Sequence, residues 1–200
     1  MSRKKAYWKD LVEELRSCER CPLHRRRNRV VPGEGNLSAR LMFVGEGPGR
    51  EEDKTGRPFV GAAGAVLDSF FSRCGIQRKD VFITNTVRCN PPGNRDPSTI
   101  EILRCRNFLQ RTIELVSPKV LVALGKHAAG SLTDRYGDPI WSLKEKELIW
   151  KGDSLEVPIV VMYHPAFILR ELKKRNRKVV QSELGLLKQA VEKSHQPSIR

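Results

Sequence analysis

The chain has 200 residues, a formal net charge of +14 and a hydrophobic fraction of 39%. This length suits one domain with a single core, and no apolar run approaches the ~20 residues that a membrane-spanning helix requires. We therefore expect a cytoplasmic protein that forms one domain over residues 1–200, with basic segments at both ends and without an export signal or a membrane partner.

The positive charge is concentrated at the two ends of the chain. Residues 1–30 contain ten Lys or Arg against four Asp or Glu, and residues 170–200 contain nine against three. The residues between them are nearly balanced, at eighteen against sixteen. A polyanion that lies across basic segments releases counterions on binding, so this distribution favours a nucleic-acid-binding protein over simple solubility tails.

Predicted helices and strands alternate along the chain. Apolar residues at helical spacing predict a short helix over 8–16, and the apolar run 40–45 predicts a buried strand that enters a glycine-rich turn. The later elements, in order, are helix 64–74, strand 81–84, helix 98–116 with a capping box at Ser98 and Glu101, strand 119–125, a short helix from Lys126, an irregular or hairpin segment 133–152, strand 157–163 and helix 177–193. This order predicts a three-layer α/β/α fold around a largely parallel four-stranded sheet.

Three distinctive loops directly follow predicted strands. They span residues 45–59, 85–94 and 164–170. The carboxyl ends of parallel strands lie at the same edge of a sheet, where open α/β folds bind their ligands. We therefore expect these loops to meet at one ligand-binding mouth.

Four of the five cysteines form a candidate metal site. Cys18 and Cys21 make a C-x-x-C loop, and Cys89 and Cys105 bracket the loop and first turns of a predicted helix. Four thiolates suit zinc or an iron–sulfur cluster, and the spacing does not separate the two. Structural disulfides are rare in cytosolic chains, and Cys74 lies apart in an apolar helix. The site is expected to connect the N-terminal segment to the loop after the second strand.

Two strand-end side chains match the chemistry of a uracil base. Asn85 offers a donor and an acceptor, which complement O4 and N3–H of uracil and mismatch cytosine. His164 can donate to O2, where a leaving uracil carries negative charge. Phe59, between glycines and prolines, can stack on a base. A turn-forming asparagine and a structural histidine are the plain alternatives.

These residues resemble those of the family 4 uracil-DNA glycosylases, the thermostable iron–sulfur branch of that superfamily. The resemblance extends over nearly the whole chain. It is carried by six ordered blocks: Cys18-x-x-Cys21-Pro-Leu, Gly45-Glu-Gly-Pro-Gly, Gly56-Arg-Pro-Phe-Val-Gly, Asn85-x-x-x-Cys89-x-Pro-Pro-x-Asn-Arg, Cys105 and His164-Pro-Ala. It implies a DNA repair enzyme that flips deoxyuridine out of single- or double-stranded DNA and hydrolyses its N-glycosidic bond. We expect this enzyme to be a monomer.

The resemblance also implies roles for individual residues. A [4Fe–4S] cluster would bind to the four cysteines at 18, 21, 89 and 105. Uracil would be bound by Gly45, Gly47, Phe59, Asn85 and His164. DNA would be contacted by Ile168, Leu169 and Arg170, the stretch with which relatives wedge the duplex.

The residue that positions the attacking water is left open. Gly47 stands where the best-known branch of the superfamily has an aspartate. We expect Glu46 or Glu52 to position the water and His164 to be the main electrostatic catalyst. The leaving-group-driven character of the reaction reduces the need for a strong base.

Other functions remain in competition. A covalent uracil-DNA binder of the same superfamily would add a basic loop with a nucleophilic histidine, and residues 89–105 show no such insertion. A non-catalytic, metal-containing nucleic-acid-binding module would use the same basic ends. A zinc deaminase would need His-x-Glu upstream of its C-x-x-C, and this is absent. Association with the nucleoid is expected, and contact with a replication sliding clamp is an open hypothesis.

Overall fold

A computed structural model describes residues 3–196 of the chain. Residues 1–2 and 197–200, the outermost parts of the two basic segments, lie outside the described residues. The strands are β1 (Glu34–Gly35), β2 (Leu41–Gly45), β3 (Phe82–Asn85), β4 (Val120–Leu124), β5 (Leu148–Lys151) and β6 (Glu156–Met162). The helices are α1 (Arg3–Arg16), α2 (Arg50–Thr55), α3 (Ala62–Arg73), α4 (Thr99–Val116), α5 (Lys126–Thr133), α6 (Ile140–Lys144), α7 (Pro165–Lys173) and α8 (Arg177–His195).

The strands form one six-stranded sheet in the order β1-β3-β2-β4-β6-β5. The four central strands are parallel, and they are the four that the sequence predicts. The four-stranded prediction misses the two antiparallel edges, β1 and β5. β1 is only two residues long, and β5 alternates buried and exposed positions in a segment that the sequence leaves as irregular or hairpin.

Helices cover both faces of the sheet, which confirms the α/β/α prediction. β2, β3 and β4 are buried along their whole length, as strands packed on both faces must be. One apolar cluster joins the sheet to α3, α7 and α8, and a second joins it to α1, α4, α5 and α6. No helix among residues 3–196 combines the length and the low charge needed to cross a membrane.

Helix starts follow local signals in the sequence. Ser98 Oγ accepts the backbone N–H of Glu101, whose carboxylate accepts the N–H of Ser98 at 2.8 Å, so the predicted capping box is confirmed. The segment 164–170, predicted as a loop, instead contains the start of α7: His164 caps the helix and Pro165 occupies its first position. The loop 45–59 similarly contains the short helix α2.

Candidate active site

A cavity of about 770 Å³ lies beyond the carboxyl ends of the central strands. Its walls come from all three loops that the sequence singles out, and also from the loop after β4. Among its lining residues are Glu46, Phe59, Asn85, His127 and His164. β2 lies between β3 and β4 in the sheet, so these two strands, which follow it in the chain, lie on opposite sides of it. Open α/β folds bind ligands in the crevice at such a switch point.

Gly45 allows two of the expected uracil-binding side chains to approach each other. It pairs in register with Asn85 across β2 and β3. A Cβ at Gly45 would lie 2.4 Å from Oδ1 of Asn85 and 2.5 Å from Cζ of Phe59. Gly47 lines the cavity and is equally crowded, because a Cβ there would lie 2.8 Å from Cγ2 of Val87. Both glycines are therefore required by close packing around the cavity.

Phe59 is held in an uncommon backbone conformation. Its φ is 51°, in the left-handed region that non-glycine residues seldom adopt. Arg78 Nη1 donates to its carbonyl oxygen at 3.2 Å. Oε1 of Glu52 accepts the next two backbone N–H groups, those of Val60 and Gly61, each at 2.8 Å. This fixed conformation places the ring of Phe59 6.0 Å from that of His164, measured between ring centroids.

Asn85 presents an unsatisfied acceptor at the cavity. The residue is 1% exposed, and its Oδ1 has no hydrogen-bond partner within residues 3–196. Buried polar atoms almost always have a partner, and a lone one indicates a ligand or water that completes the bond. The side chain of Asn85 therefore has an acceptor free to bond a ligand in the cavity.

His164 is a neutral hydrogen-bond donor. Its Nδ1 accepts the backbone N–H of Ala166 at 3.2 Å, so the ring proton resides on Nε2. Burial, together with the positive charge of Arg170, lowers the pKa of His164 to about 4. Gly125, with φ of 98°, gives the ring room, because a Cβ there would lie 3.1 Å from Cβ of His164.

Glu46 lies in a cluster that the sequence does not reveal. Its Oε2 is 3.9 Å from Nε2 of His127, and the same nitrogen is 2.8 Å from Oδ2 of Asp96. Burial raises the pKa of the Glu46 carboxyl, and nearby Asp96 raises it further, while His127 opposes both. The hydrogen bond from His127 is the main cause of the lowered pKa of Asp96. Both candidate water-positioning residues line the cavity, but Glu46 is partly exposed whereas Glu52 is buried.

The other candidate, Glu52, is committed to the backbone. Besides its two bonds to the segment after Phe59, its Oε2 accepts the N–H of Gly49 at 3.1 Å. The carboxylate thus ties the glycine-rich turn to the Phe59 loop, which fixes two walls of the cavity.

The three expected DNA contacts differ in exposure. Ile168 is 1% exposed and packs in the core, so its side chain cannot wedge a duplex. Leu169 is half-buried against the same core. Arg170 is exposed at the cavity, with its guanidinium 5.8 Å from the ring centroid of Phe167. Of these three residues, Leu169 and Arg170 therefore remain candidates for DNA contact and Ile168 does not.

The four expected metal-ligating cysteines come together away from this cavity. Cys18, Cys21, Cys89 and Cys105 all line one small void, and each has a free thiol. Arg27 Nη1 lies 3.5 Å from Sγ of Cys89. Burial raises the pKa of the Cys105 thiol to about 12, so thiolates at this place need compensation by a cation. Four clustered thiols that form no disulfide fit a tetrahedral thiolate site for a metal or a cluster.

Comparison with known proteins agrees with this geometry. The family profile of the uracil DNA glycosylase superfamily matches residues 32–185. A type-4 uracil-DNA glycosylase of Thermotoga maritima is 42% identical over 90% of this chain and 93% of its own length. The chain belongs to the uracil DNA glycosylase superfamily. A second type-4 relative, from Sulfurisphaera tokodaii, is 44% identical over 80% of this chain and 74% of its own length. A type-5 relative from Pyrobaculum aerophilum is 31% identical over 81% of this chain and 84% of its own length.

The two type-4 relatives, each more than 40% identical to this chain, confirm the resemblance to the family 4 enzymes. The matched range contains every cavity residue named above, whereas Cys18 and Cys21 precede it. Sequence reasoning misses His127 and Asp96, two cavity residues of this superfamily member. They are 31 positions apart and follow different strands, so no local pattern links them. The one sequence signal for His127 is its position three residues after the end of β4.

Proposed function

We propose that this chain is a monofunctional uracil-DNA glycosylase of base excision repair. It flips deoxyuridine out of DNA, hydrolyses the N-glycosidic bond, releases uracil and leaves an abasic site. The observation that carries the proposal is the unpartnered Oδ1 of Asn85, buried in a cavity that it shares with Phe59 and the neutral His164. The type-4 uracil-DNA glycosylases among its relatives support the same activity.

Base recognition rests on two side chains. The Oδ1 of Asn85 accepts N3–H of uracil and its amide group donates to O4, whereas cytosine presents the opposite pattern on both atoms. The ring of Phe59 stacks on the flipped base. Because the left-handed backbone of Phe59 is fixed by Glu52 and Arg78, the stacking surface is in place before DNA binds.

His164 stabilises the leaving group. As the glycosidic bond breaks, negative charge grows on O2 of uracil, and a donor placed beforehand in a low-dielectric site stabilises this charge. A neutral ring suits this role, since Nε2–H donates while Nδ1 remains held by the first turn of α7. Glu46 positions the attacking water, and the hydrogen-bonded pair of His127 and Asp96 orders its surroundings.

DNA is held at the rim of the cavity. Arg50, Lys126 and Arg170 are lining residues that can contact phosphates on either side of the flipped nucleotide. Flipping costs a few kcal/mol, which such contacts and the half-buried Leu169 offset. The basic ends of the chain extend the phosphate-binding surface.

The cysteine site holds a [4Fe–4S] cluster in this proposal. Cys18, Cys21, Cys89 and Cys105 are its ligands, and when bound it supplies an anionic crosslink between the N-terminal segment and the loop after β3. A brown protein with broad absorbance near ~400 nm is the expected signature, and a colourless protein with one zinc ion would contradict it.

We further propose that residues 1–200 act as one domain and as a monomer on nucleoid DNA. All six strands belong to one sheet, which supports a single domain. Contact with a replication sliding clamp stays a prediction, to be checked by co-purification of the purified chain with a clamp protein.

Uracil release from oligonucleotides tests the proposed activity. Single- and double-stranded substrates with one deoxyuridine are incubated with the protein, then treated with alkali. Strand breaks at the uracil position are expected, and matched strands with thymine or cytosine should stay intact. Binding without breaks would instead indicate a non-catalytic nucleic-acid-binding module.

The same reactions also test the covalent alternative. Although the insertion of a covalent binder is absent, His127 does place an imidazole in the cavity. A protein–DNA adduct that survives denaturing electrophoresis, and disappears in His127→Ala, would favour covalent uracil binding. The proposed hydrolase gives free uracil and no adduct.

A further inference from the structure

Arg88 is the largest fully buried side chain among the described residues. It is 1% exposed, and the hydrogen-bond partners of its guanidinium within residues 3–196 are neutral. Its Nη1 donates to Oγ1 of Thr84 and to the carbonyl oxygen of Asn85, and its Nη2 donates to Oγ1 of Thr112 at 3.2 Å. The Nε atom has no partner within residues 3–196. No carboxylate of the described chain forms an ion pair with this guanidinium.

A buried cation without an anion is among the costliest arrangements in a protein interior. The groups that can compensate this charge, when they are ionised, are the sulfur atoms of Cys89 and Cys105. The backbone N–H of Arg88 also bonds to the thiol of Cys105, and Arg88 lines the same small void as the cysteines. Neutral thiols would leave its charge uncompensated, whereas four thiolates on a metal or cluster provide the missing anion.

The other side of Arg88 reaches the uracil pocket. Its guanidinium bonds to Thr84 and Asn85, the last two residues of β3. The carbonyl oxygen of Asn85 is thereby fixed, and the orientation of its recognition amide depends on that backbone. One side chain thus joins the cysteine site to the residue that reads uracil.

We propose that Arg88 is the internal counter-ion of the cysteine site and a positioning residue for Asn85, so that occupancy of the site is coupled to uracil recognition. This inference rests on the proposed function, which supplies both the anionic cluster and the role of Asn85. Arg88 touches neither substrate nor reacting atoms, and it acts through the end of β3.

Arg27 provides a matched control. It too approaches Sγ of Cys89, at 3.5 Å, and it donates to the carbonyl oxygens of Cys18 and Arg16. Within residues 3–196, its hydrogen bonds go to Cys89, Cys18 and Arg16 and none reaches β3. Loss of Arg27 therefore perturbs the cysteine site without a direct effect on Asn85.

The experiment compares wild type with Arg88→Met, Arg88→Lys and Arg27→Met. Two quantities are measured: the rate at which a chelator removes iron, and the affinity of the iron-loaded protein for free uracil by calorimetry. Arg88→Met should lose iron about 10–100-fold faster, the usual effect of removing a group that supports metal ligands. It should bind uracil about tenfold more weakly. Arg27→Met should lose iron faster but bind uracil with wild-type affinity.

Arg88→Lys separates charge from geometry. Lysine keeps the positive charge, so iron retention should recover. Its single nitrogen cannot bond Thr84 and Asn85 and also reach Thr112, as the two Nη atoms of the guanidinium do, so uracil affinity should stay low. If Arg88→Met does not fold, the iron retention and uracil affinity of Arg88→Lys test the proposal instead. Wild-type uracil affinity in an iron-loaded Arg88 variant overturns the coupling, as does wild-type iron retention in Arg88→Met.

Failure of the proposed function would be seen in the wild-type protein rather than in the Arg88 variants. A wild type that binds no uracil contradicts the glycosylase proposal and, with it, this inference. A wild type that holds zinc contradicts only the cluster, because four thiolates on zinc are also anionic, and the Arg88 comparison is then made on zinc retention. A wild type with no bound metal overturns the role of Arg88 as a counter-ion.

Discussion

Two buried charges support the two sides of the candidate active site, and they are compensated differently. Arg88 fixes the end of β3 at Asn85, and its compensation must come from the cysteine site. Glu183, in α8, is 0% exposed and fixes the end of β6: its Oε2 accepts the backbone N–H of Tyr163, next to His164, at 2.7 Å. The Oε1 of Glu183 accepts a hydrogen bond from Nζ of Lys144 in α6.

The difference shows which side can form from the polypeptide alone. The Lys144–Glu183 ion pair is complete, and the ammonium group also lies 4.0 Å from the ring centroid of Tyr163. The His164 side should therefore be correctly built in any folded molecule. The Asn85 side depends on a group that the cysteines bind. The Lys144–Glu183 pair thus supports the His164 side and Arg88 supports the Asn85 side, so variants can perturb the two sides one at a time.

The largest expected effect is on stability, from Glu183→Ala. Removing one partner of a buried ion pair leaves Lys144 uncompensated and the N–H of Tyr163 unbonded, which should lower the free energy of unfolding by about 3–5 kcal/mol. Thermal and denaturant unfolding measure this loss. Iron content should remain that of wild type, because the pair lies outside the cysteine site.

Two further variants serve as controls for the ion pair. Glu183→Gln keeps an acceptor for the N–H of Tyr163 and should lose less stability than Glu183→Ala. Adding Lys144→Met to Glu183→Ala removes the unpaired charge and should recover part of the loss. If Glu183→Ala released iron as readily as Arg88→Met, the two supports would not be separate.

The next effect in size is on catalysis, from His164→Ala. Loss of a preorganised donor to developing charge typically lowers the rate by about 10²–10³-fold. Single-turnover uracil release should show this loss, while affinity for uracil-containing DNA changes little. His195→Ala, exposed in the last turn of α8, is the matched control and should cleave normally. An equal loss of DNA affinity would make His164 a binding residue instead.

Much of this arrangement follows from sequence because it depends on local patterns. The apolar run before Gly45 can only be a buried strand, and Asn85 and His164 stand at strand ends where α/β folds place ligands. The start of α7 could also be predicted from the sequence, since a proline after a capping residue marks a helix N-terminus; the prediction of a loop at this segment overlooks that signal. The missed edge strand β5 carries its period-two pattern over only four residues.

What the sequence hides is set by tertiary contacts. In the sequence, nothing distinguishes Arg88 from the other basic residues near a cysteine. Its full burial results from the packing of β3 and α4 around it, which a single sequence does not show. The same holds for Glu52, whose carboxylate clamps two backbone segments. Charge partners distant in sequence, such as His127 and Asp96, have no periodic signature that a single sequence shows.

A smaller effect is expected from Asn85→Asp, on the recognition side. A carboxylate keeps an acceptor but cannot donate to O4, so uracil excision should fall about 10–100-fold, with discrimination against cytosine weakened accordingly. The ratio of excision rates on uracil- and cytosine-containing strands measures this. Asn36→Asp, in an exposed turn, is the control. An unchanged ratio would remove Asn85 from recognition and leave Arg88 nothing to position.

The smallest effect concerns pH, where the two sides again differ. Burial holds the pKa of His164 near 4, so the neutral donor persists from pH 8 to pH 5 and its titration should change the cleavage rate less than about twofold in this range. Burial raises the pKa of Glu46, so a larger rate loss on acidification is expected to come from protonation of Glu46 and should vanish in Glu46→Gln.

The same low pKa of His164 should make stability depend on pH. An unfolded histidine is protonated near ~6.5, whereas folded His164 is protonated only near pH 4, so the free energy of unfolding should decrease as pH falls through this window. Denaturation of wild type and His164→Ala across the same pH range tests the assignment, because the variant lacks this contribution. An inflection of the wild-type rate near pH 6.5 that survives Glu46→Gln would mean that His164 is protonated in the working enzyme and donates as a cation.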